Sequence, residues 1–142
     1  LPWAAVPRRS DQRRAAVFAL YQAALTGRPL DDVLDHDASP FTRALAHVTQ
    51  ERAPQLDALI ADHAQGWALE RIAPLERAIM RVALLEMLDP EAAPGDMPIP
   101  PEGAISEAVE TAKTYSGADA PGFVNGILGA VHREMGDNPA RR

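Results

Sequence analysis

The stretch Pro74-Leu-Glu-Arg-Ala-Ile-Met-Arg-Val-Ala-Leu-Leu-Glu-Met-Leu88 decides the fold. Proline at its first position suits a helix start, where the missing N–H needs no partner. Leu75, Ile79, Val82, Ala83, Leu85 and Leu88, with Glu86 among them, make the segment apolar nearly all round. A helix without a polar face belongs at the centre of a helical protein, with other helices packed against it.

Towards the N-terminus, Trp67-Ala-Leu-Glu-Arg-Ile72 reads as a single turn after the stop at Gly66. Ser39-Pro40 is a helix start, a capping residue followed by proline. The segment it opens carries Phe41, Leu45 and Val48, then Leu56, Leu59, Ile60 and His63, and Pro54 either kinks one long helix or divides two. A short acidic segment, Leu30 to His36, precedes it. The first helix runs from about Asp11 to Thr26, capped by Ser10 or Asp11, with Val17, Leu20, Tyr21, Ala24 and Leu25 as its apolar face. Gly27 fits the left-handed position that ends it, and Pro29 prevents continuation.

Towards the C-terminus, Asp89 to Gly103 holds five prolines in fifteen positions and two glycines, which predicts an extended surface loop. A helix from about Glu102 to Tyr115 turns Ile105, Ala108, Val109 and Ala112 inward. The last opens at Ala120-Pro121 and carries Phe123, Val124, Ile127, Leu128, Val131 and Met135. Asn125-Gly126 within it is poor for helix propensity, and a tight helix–helix contact at Gly126 is the expected reason. Five or six substantial helices and no strand pattern predict an all-α, single-domain orthogonal helical bundle. The expected organisation is a basic flexible arm over 1–10, a helical domain over 11–135 and a frayed tail over 136–142.

At 142 residues the chain can bury about two-thirds of its unfolded surface without a staple. The absence of cysteine excludes a disulfide framework, a cysteine zinc site and a thiol nucleophile. No apolar run approaches the ~20 residues that span a bilayer, and Leu1 to Ser10 lacks a secretion signal. A cytoplasmic protein with no membrane partner is the expectation, while Leu1 in place of Met leaves a processed chain or a fragment open.

Chemistry is sparse. His36, His47, His63 and His132 have no zinc spacing, and no phosphate loop, dinucleotide fingerprint or nucleophile elbow occurs. Asp31, Asp32, Asp35 and Asp37 lack a calcium-loop pattern and read as a solvated acidic face. No catalytic residue, metal or cofactor is therefore expected. The net charge of −6 argues against a non-specific nucleic-acid binder. Residues 1–28, however, carry five Arg and one Asp, and the rest carries nine basic and nineteen acidic residues. Arg8, Arg9, Arg13 and Arg14 flank and enter the first turn of helix one. Free N–H groups and the positive helix end add to these guanidinium groups, which fork onto phosphate and stack on unpaired bases. Four such contacts give a log–log salt slope of about −3 for single strands, modest enough that a partner adding contacts is expected.

These residues resemble a known family. Arg13-Arg-Ala-Ala-Val-Phe-Ala-Leu-Tyr21 resembles the arginine-rich first helix of the NusB transcription antitermination factors. His63 to Ile72 with Pro74 to Leu88 is similar to that family's central region. Ala104-Ile-Ser-Glu-Ala-Val-Glu-Thr-Ala-Lys113 and Phe123-Val-Asn-Gly-Ile-Leu128 resemble its C-terminal signature. The resemblance covers about residues 8 to 135. It implies a bundle of about six to seven helices that binds boxA-type single-stranded RNA with the ribosomal small-subunit protein NusE, in an antitermination complex on RNA polymerase, without catalysis. It places RNA binding on Arg8, Arg9, Arg13, Arg14, Asp119 and Phe123, and partner binding on Tyr21 and Glu76. The acidic remainder would suit a basic ribosomal protein. The resemblance leaves two further readings open, a homodimer that masks the RNA surface and the N-terminal targeting domain of a ribosomal RNA cytosine methyltransferase. Two departures stand out: Ser10-Asp11-Gln12 interrupts the basic run with a carboxylate that repels phosphate, and the loop from Asp89 to Gly103 is several residues longer than is usual.

Overall fold

The computed structural model describes residues 8–95 and 98–137. Its elements are α1 (Arg9–Thr26), α2 (Leu30–Val33), α3 (Pro40–Glu51), α4 (Ala53–His63), a 3₁₀ turn (Leu69–Arg71), α5 (Pro74–Leu88), α6 (Pro101–Tyr115) and α7 (Ala120–Asp137). The described residues contain no strand, and none of their helices is long and apolar enough to cross a membrane.

As its composition predicts, α5 is the centre, packing against α1, α3, α4, α6 and α7. Every residue from Ala78 to Met87 except Arg81 is buried. Ile79, Met80, Leu84 and Leu85 are at most 1% exposed, and burying a side chain of this kind is worth about 1.5–3 kcal/mol.

The buried face of α1 is Arg13, Ala16, Val17, Ala19, Leu20 and Ala23. Ala24 and Leu25, expected inside, are exposed. The buried face follows the small residues Ala16, Ala19 and Ala23 together with Val17 and Leu20, and Arg13 lies on that same face. The helix also starts two residues earlier than expected, with Arg8 as an extended N-cap and no side-chain cap, so Ser10 and Asp11 lie inside it. Contacts to α3 hold this end instead: the Ser39 hydroxyl donates to Gln12 Oε1 at 2.8 Å and the Thr42 hydroxyl to the Gln12 carbonyl at 2.9 Å. At the other end Gly27 takes the left-handed conformation (φ +70°) and its N–H reaches the Ala23 carbonyl at 2.9 Å.

Ser39 caps α3 as expected, accepting from the Thr42 N–H at 3.1 Å. Pro54 divides two helices. It sits in the first turn of α4, where no donor is needed, and Arg52 forms the corner. An Arg52–Asp89 ion pair at 2.6 Å ties that corner to the end of α5.

The proline-rich segment lies at the surface as expected, with Pro90, Glu91, Pro94, Gly95 and Pro98 exposed. Pro90, Ala93, Pro94, Gly95, Pro98 and Ile99 fold beside Arg13, Phe41 and Glu86 around a cavity of about 300 Å³. Gly126 makes no tight helix contact: a Cβ there would meet nothing within 4 Å. Its face opens on a cavity of about 440 Å³ that Trp67, Phe123 and Arg133 also line.

Candidate nucleic-acid interface

The four arginines at the start of α1 fall into two kinds. Arg8 is exposed and pairs loosely with Asp11 at 3.5 Å, with 83% and 46% of the two side chains accessible. Such a pair contributes little and exchanges readily, so Asp11 tempers the site without closing it. Arg9 donates from Nη1 to Gln12 Oε1 at 3.0 Å, and its guanidinium lies 4.1 Å from the centre of the Phe41 ring. Arg14 lies half-buried with its guanidinium 6.0 Å from the Tyr115 ring, and its Nε is buried with no hydrogen-bond partner.

Arg13 is different. Its Nε donates to both carboxylate oxygens of Glu86, at 2.9 and 3.0 Å. Only 11% of the Arg13 side chain and 9% of Glu86 remain accessible. Burial raises the Glu86 pKa above its ordinary value of 4.5, against the opposing pull of the Arg13 hydrogen bond and charge. The sequence signal for this pair was present. Arg13 stands at i of the stripe completed by Ala16, Val17 and Leu20 at i+3, i+4 and i+7. Glu86 is the one carboxylate in the buried part of α5.

Tyr115 links the arginine end to the last helix. Its ring meets Phe18 edge-on with centroids 4.9 Å apart and lies under Arg14. It ends α6, four residues before Asp119 in the turn to α7. Asp119 is exposed and its carbonyl accepts the Phe123 N–H at 3.2 Å. Phe123 is half-buried, neither simple core nor free, with its ring edge-on to Trp67 at 6.0 Å. Glu76, Asp119 and Phe123 share one concavity of about 290 Å³ with Trp67, Arg71 and Ile72. The RNA and partner assignments on α5 and α7 therefore meet. Tyr21 sits on α1 two turns past Arg14, half-buried against the core, outside that concavity. Residues 1–7 of the expected arm and 138–142 of the expected tail lie outside the described residues.

Three histidines are engaged in pairs: His47 with Asp31 at 2.7 Å, His63 with Glu134 at 2.6 Å and His132 with Glu102 at 3.3 Å. Among the described residues no group of three or more His, Asp or Glu gathers to hold a metal ion.

Fold and surface together define a small helical bundle that displays cations and aromatic rings around one helix start and the turn beside it. Residues 10–133 match the NusB family, and the chain belongs to it. The transcription antitermination protein NusB of Symbiobacterium thermophilum is 36% identical over 144 aligned positions, covering 89% of this chain and 90% of the relative. That of Rubrobacter xylanophilus is 33% identical over 126 positions, covering 84% and 86%. Both relatives carry the name transcription antitermination protein. Among solved structures, NusB of T. maritima superposes with a TM-score of 0.77 at 30% identity, over 90% of this chain and 92% of that one. A chain in the crystal structure of antitermination factors NusB and NusE with double-stranded RNA superposes at 0.72, with 22% identity over 89% and 96%. At that identity the likeness bears on the fold alone.

Proposed function

We propose that this protein is a non-catalytic, cytoplasmic transcription antitermination factor that binds boxA-type single-stranded RNA together with the ribosomal protein NusE, within the antitermination complex on RNA polymerase. The observation that carries this reading is the start of α1. There Arg8, Arg9 and Arg14 are displayed around a helix N-terminus while Arg13 locks that turn to α5 through Glu86. A helix N-terminus with flanking guanidinium groups is suited to phosphate. Tyr115, Asp119 and Phe123 extend this surface with rings on which bases stack and a carboxylate that accepts from base amino groups. Glu76 and Tyr21 are assigned to NusE, whose basic surface suits the acidic body. The two curated relatives, 36% and 33% identical, both carry the name transcription antitermination protein NusB, which supports this reading over a methyltransferase targeting module.

In this scheme Arg13 acts on RNA through the position of α1, not by phosphate contact. Three rim arginines give a single-strand salt slope of about −2 in place of −3. The test is a gel shift of the protein, with and without NusE, on boxA and scrambled RNA across a salt series. Tighter binding of boxA, strengthened by NusE, is expected; equal binding of both RNAs refutes the reading.

A further inference from the structure

Trp67 is 55% exposed, although an indole is among the costliest side chains to leave in water. The chain places it there through a strained turn. Gln65 (φ +47°) is the one non-glycine residue with positive φ among the described residues, and Gly66 follows at φ +90°. Such strain is retained where the surroundings or the function demand it. The Trp67 N–H donates to the Ala64 carbonyl at 3.2 Å, which fixes the backbone. The Phe123 ring props the indole edge-on, 6.0 Å between centroids and 64° between planes. Concavities open on both sides of this pair, about 290 Å³ with Arg71, Glu76 and Asp119, and about 440 Å³ with Gly122, Gly126 and Arg133.

Resting on the RNA-binding reading above, we propose that Trp67 is the stacking seat for one unpaired nucleobase of the bound RNA. The smaller concavity is at the lower limit of ligand-sized sites and fits one planar base better than a helix or strand of a partner. Exposed Arg71 and Arg133 stand one in each concavity, within reach of the phosphates on either side of such a base. Asp119 would repel phosphate, so it faces the base itself, where a carboxylate accepts from exocyclic amino groups, while Glu76 at the edge of the concavity stays with NusE. Gly122 and Gly126, where a Cβ would meet nothing within 4 Å, leave room for the sugar–phosphate chain. The seat adjoins Phe123 and extends the RNA path from α7 across to the turn after α4.

The test uses the full chain with Trp3→Phe, which leaves Trp67 the only indole of the two. Titration with single-stranded boxA RNA, with and without NusE, should quench its fluorescence. Trp67→Leu should bind this RNA about tenfold more weakly, in line with the loss of one base–aromatic stack, with an unchanged melting temperature. Trp67→Phe should recover part of that loss. Unchanged fluorescence on RNA binding, or Trp67→Leu binding within twofold of the parent, overturns the seat and leaves the antitermination reading standing. Quenching by NusE alone, without RNA, overturns it in favour of a protein contact. Failure of the parent protein to prefer boxA RNA removes the antitermination reading and the seat with it.

Discussion

Truncating Arg13 to alanine should destabilise the protein by about 3 kcal/mol at pH 8, and by less at pH 5. With 11% and 9% of the two side chains accessible, removing one partner strands a buried charge, a change that costs about 3–5 kcal/mol. The lower end is expected because Glu86 can escape by taking a proton. Burial already holds its pKa above the ordinary 4.5 in the presence of Arg13; without the guanidinium it rises further. A raised carboxyl pKa stabilises the folded state in acid, and that contribution is lost as pH climbs through the folded value. In Arg13→Ala the loss extends to higher pH than in the parent. The gap between the two proteins therefore widens by at most about 1.4 kcal/mol per pH unit between their two folded pKa values. Urea unfolding of both proteins at pH 5, 6.5 and 8 measures this directly. An apolar pair, Arg13→Met with Glu86→Leu, should return to within about 1 kcal/mol of the parent and lose the pH dependence. A cost below about 1 kcal/mol at pH 8, or one equal at all three pH values, refutes the reasoning.

Other outcomes follow from the same geometry. Arg14→Ala should lower the magnitude of the RNA salt slope by about 0.7 with little change in melting temperature, measured by binding across a salt series. Thr49→Val should be neutral or stabilise by about 1 kcal/mol in chemical denaturation, since the buried Thr49 hydroxyl has no hydrogen-bond partner. Burial alone would lower the His63 pKa, but the Leu59 carbonyl, Glu134 and Asp62 together raise it above 6.5. Its stabilising contribution is therefore complete below pH 6.5 and lost as pH rises through the folded value. His63→Gln should flatten the dependence of melting temperature on pH over that range. Asp57→Ala should cost about 2 kcal/mol in urea unfolding, because it strands Arg81, whose Nε and Nη2 both bond Asp57 at 2.6 Å.

The central helix was legible because its apolar residues leave no polar face, and Ser39-Pro40 was legible because capping is local chemistry. Pro54 was ambiguous in sequence because a kink and a break begin alike. The Arg52–Asp89 pair at the corner joins residues 37 positions apart, which no local pattern encodes. The start of α1 was misplaced by two residues because Gln12 is held from α3 and no local cap is used. Leu25 falls on the inward stripe only when the period of α1 is read from its large residues; the buried face runs through Arg13, Ala16, Ala19 and Ala23 instead. The RNA residues on α7 came from the family resemblance. Their neighbour Trp67 gave no sign of its exposure, because an aromatic residue beside a helix is ordinarily core.

The Arg13–Glu86 pair spans 73 positions of chain, and this has a consequence for folding order. Contacts so distant in sequence form late, after a large loop has closed. During synthesis the arginines leave the ribosome first, and although α3 can hold Gln12 early, the turn that displays them is not locked through Arg13 until α5 has followed. A nascent chain that ends before α5 carries the charges of the interface without its shape, so its RNA binding would follow charge alone. Selectivity would be acquired only when the middle of the chain arrives.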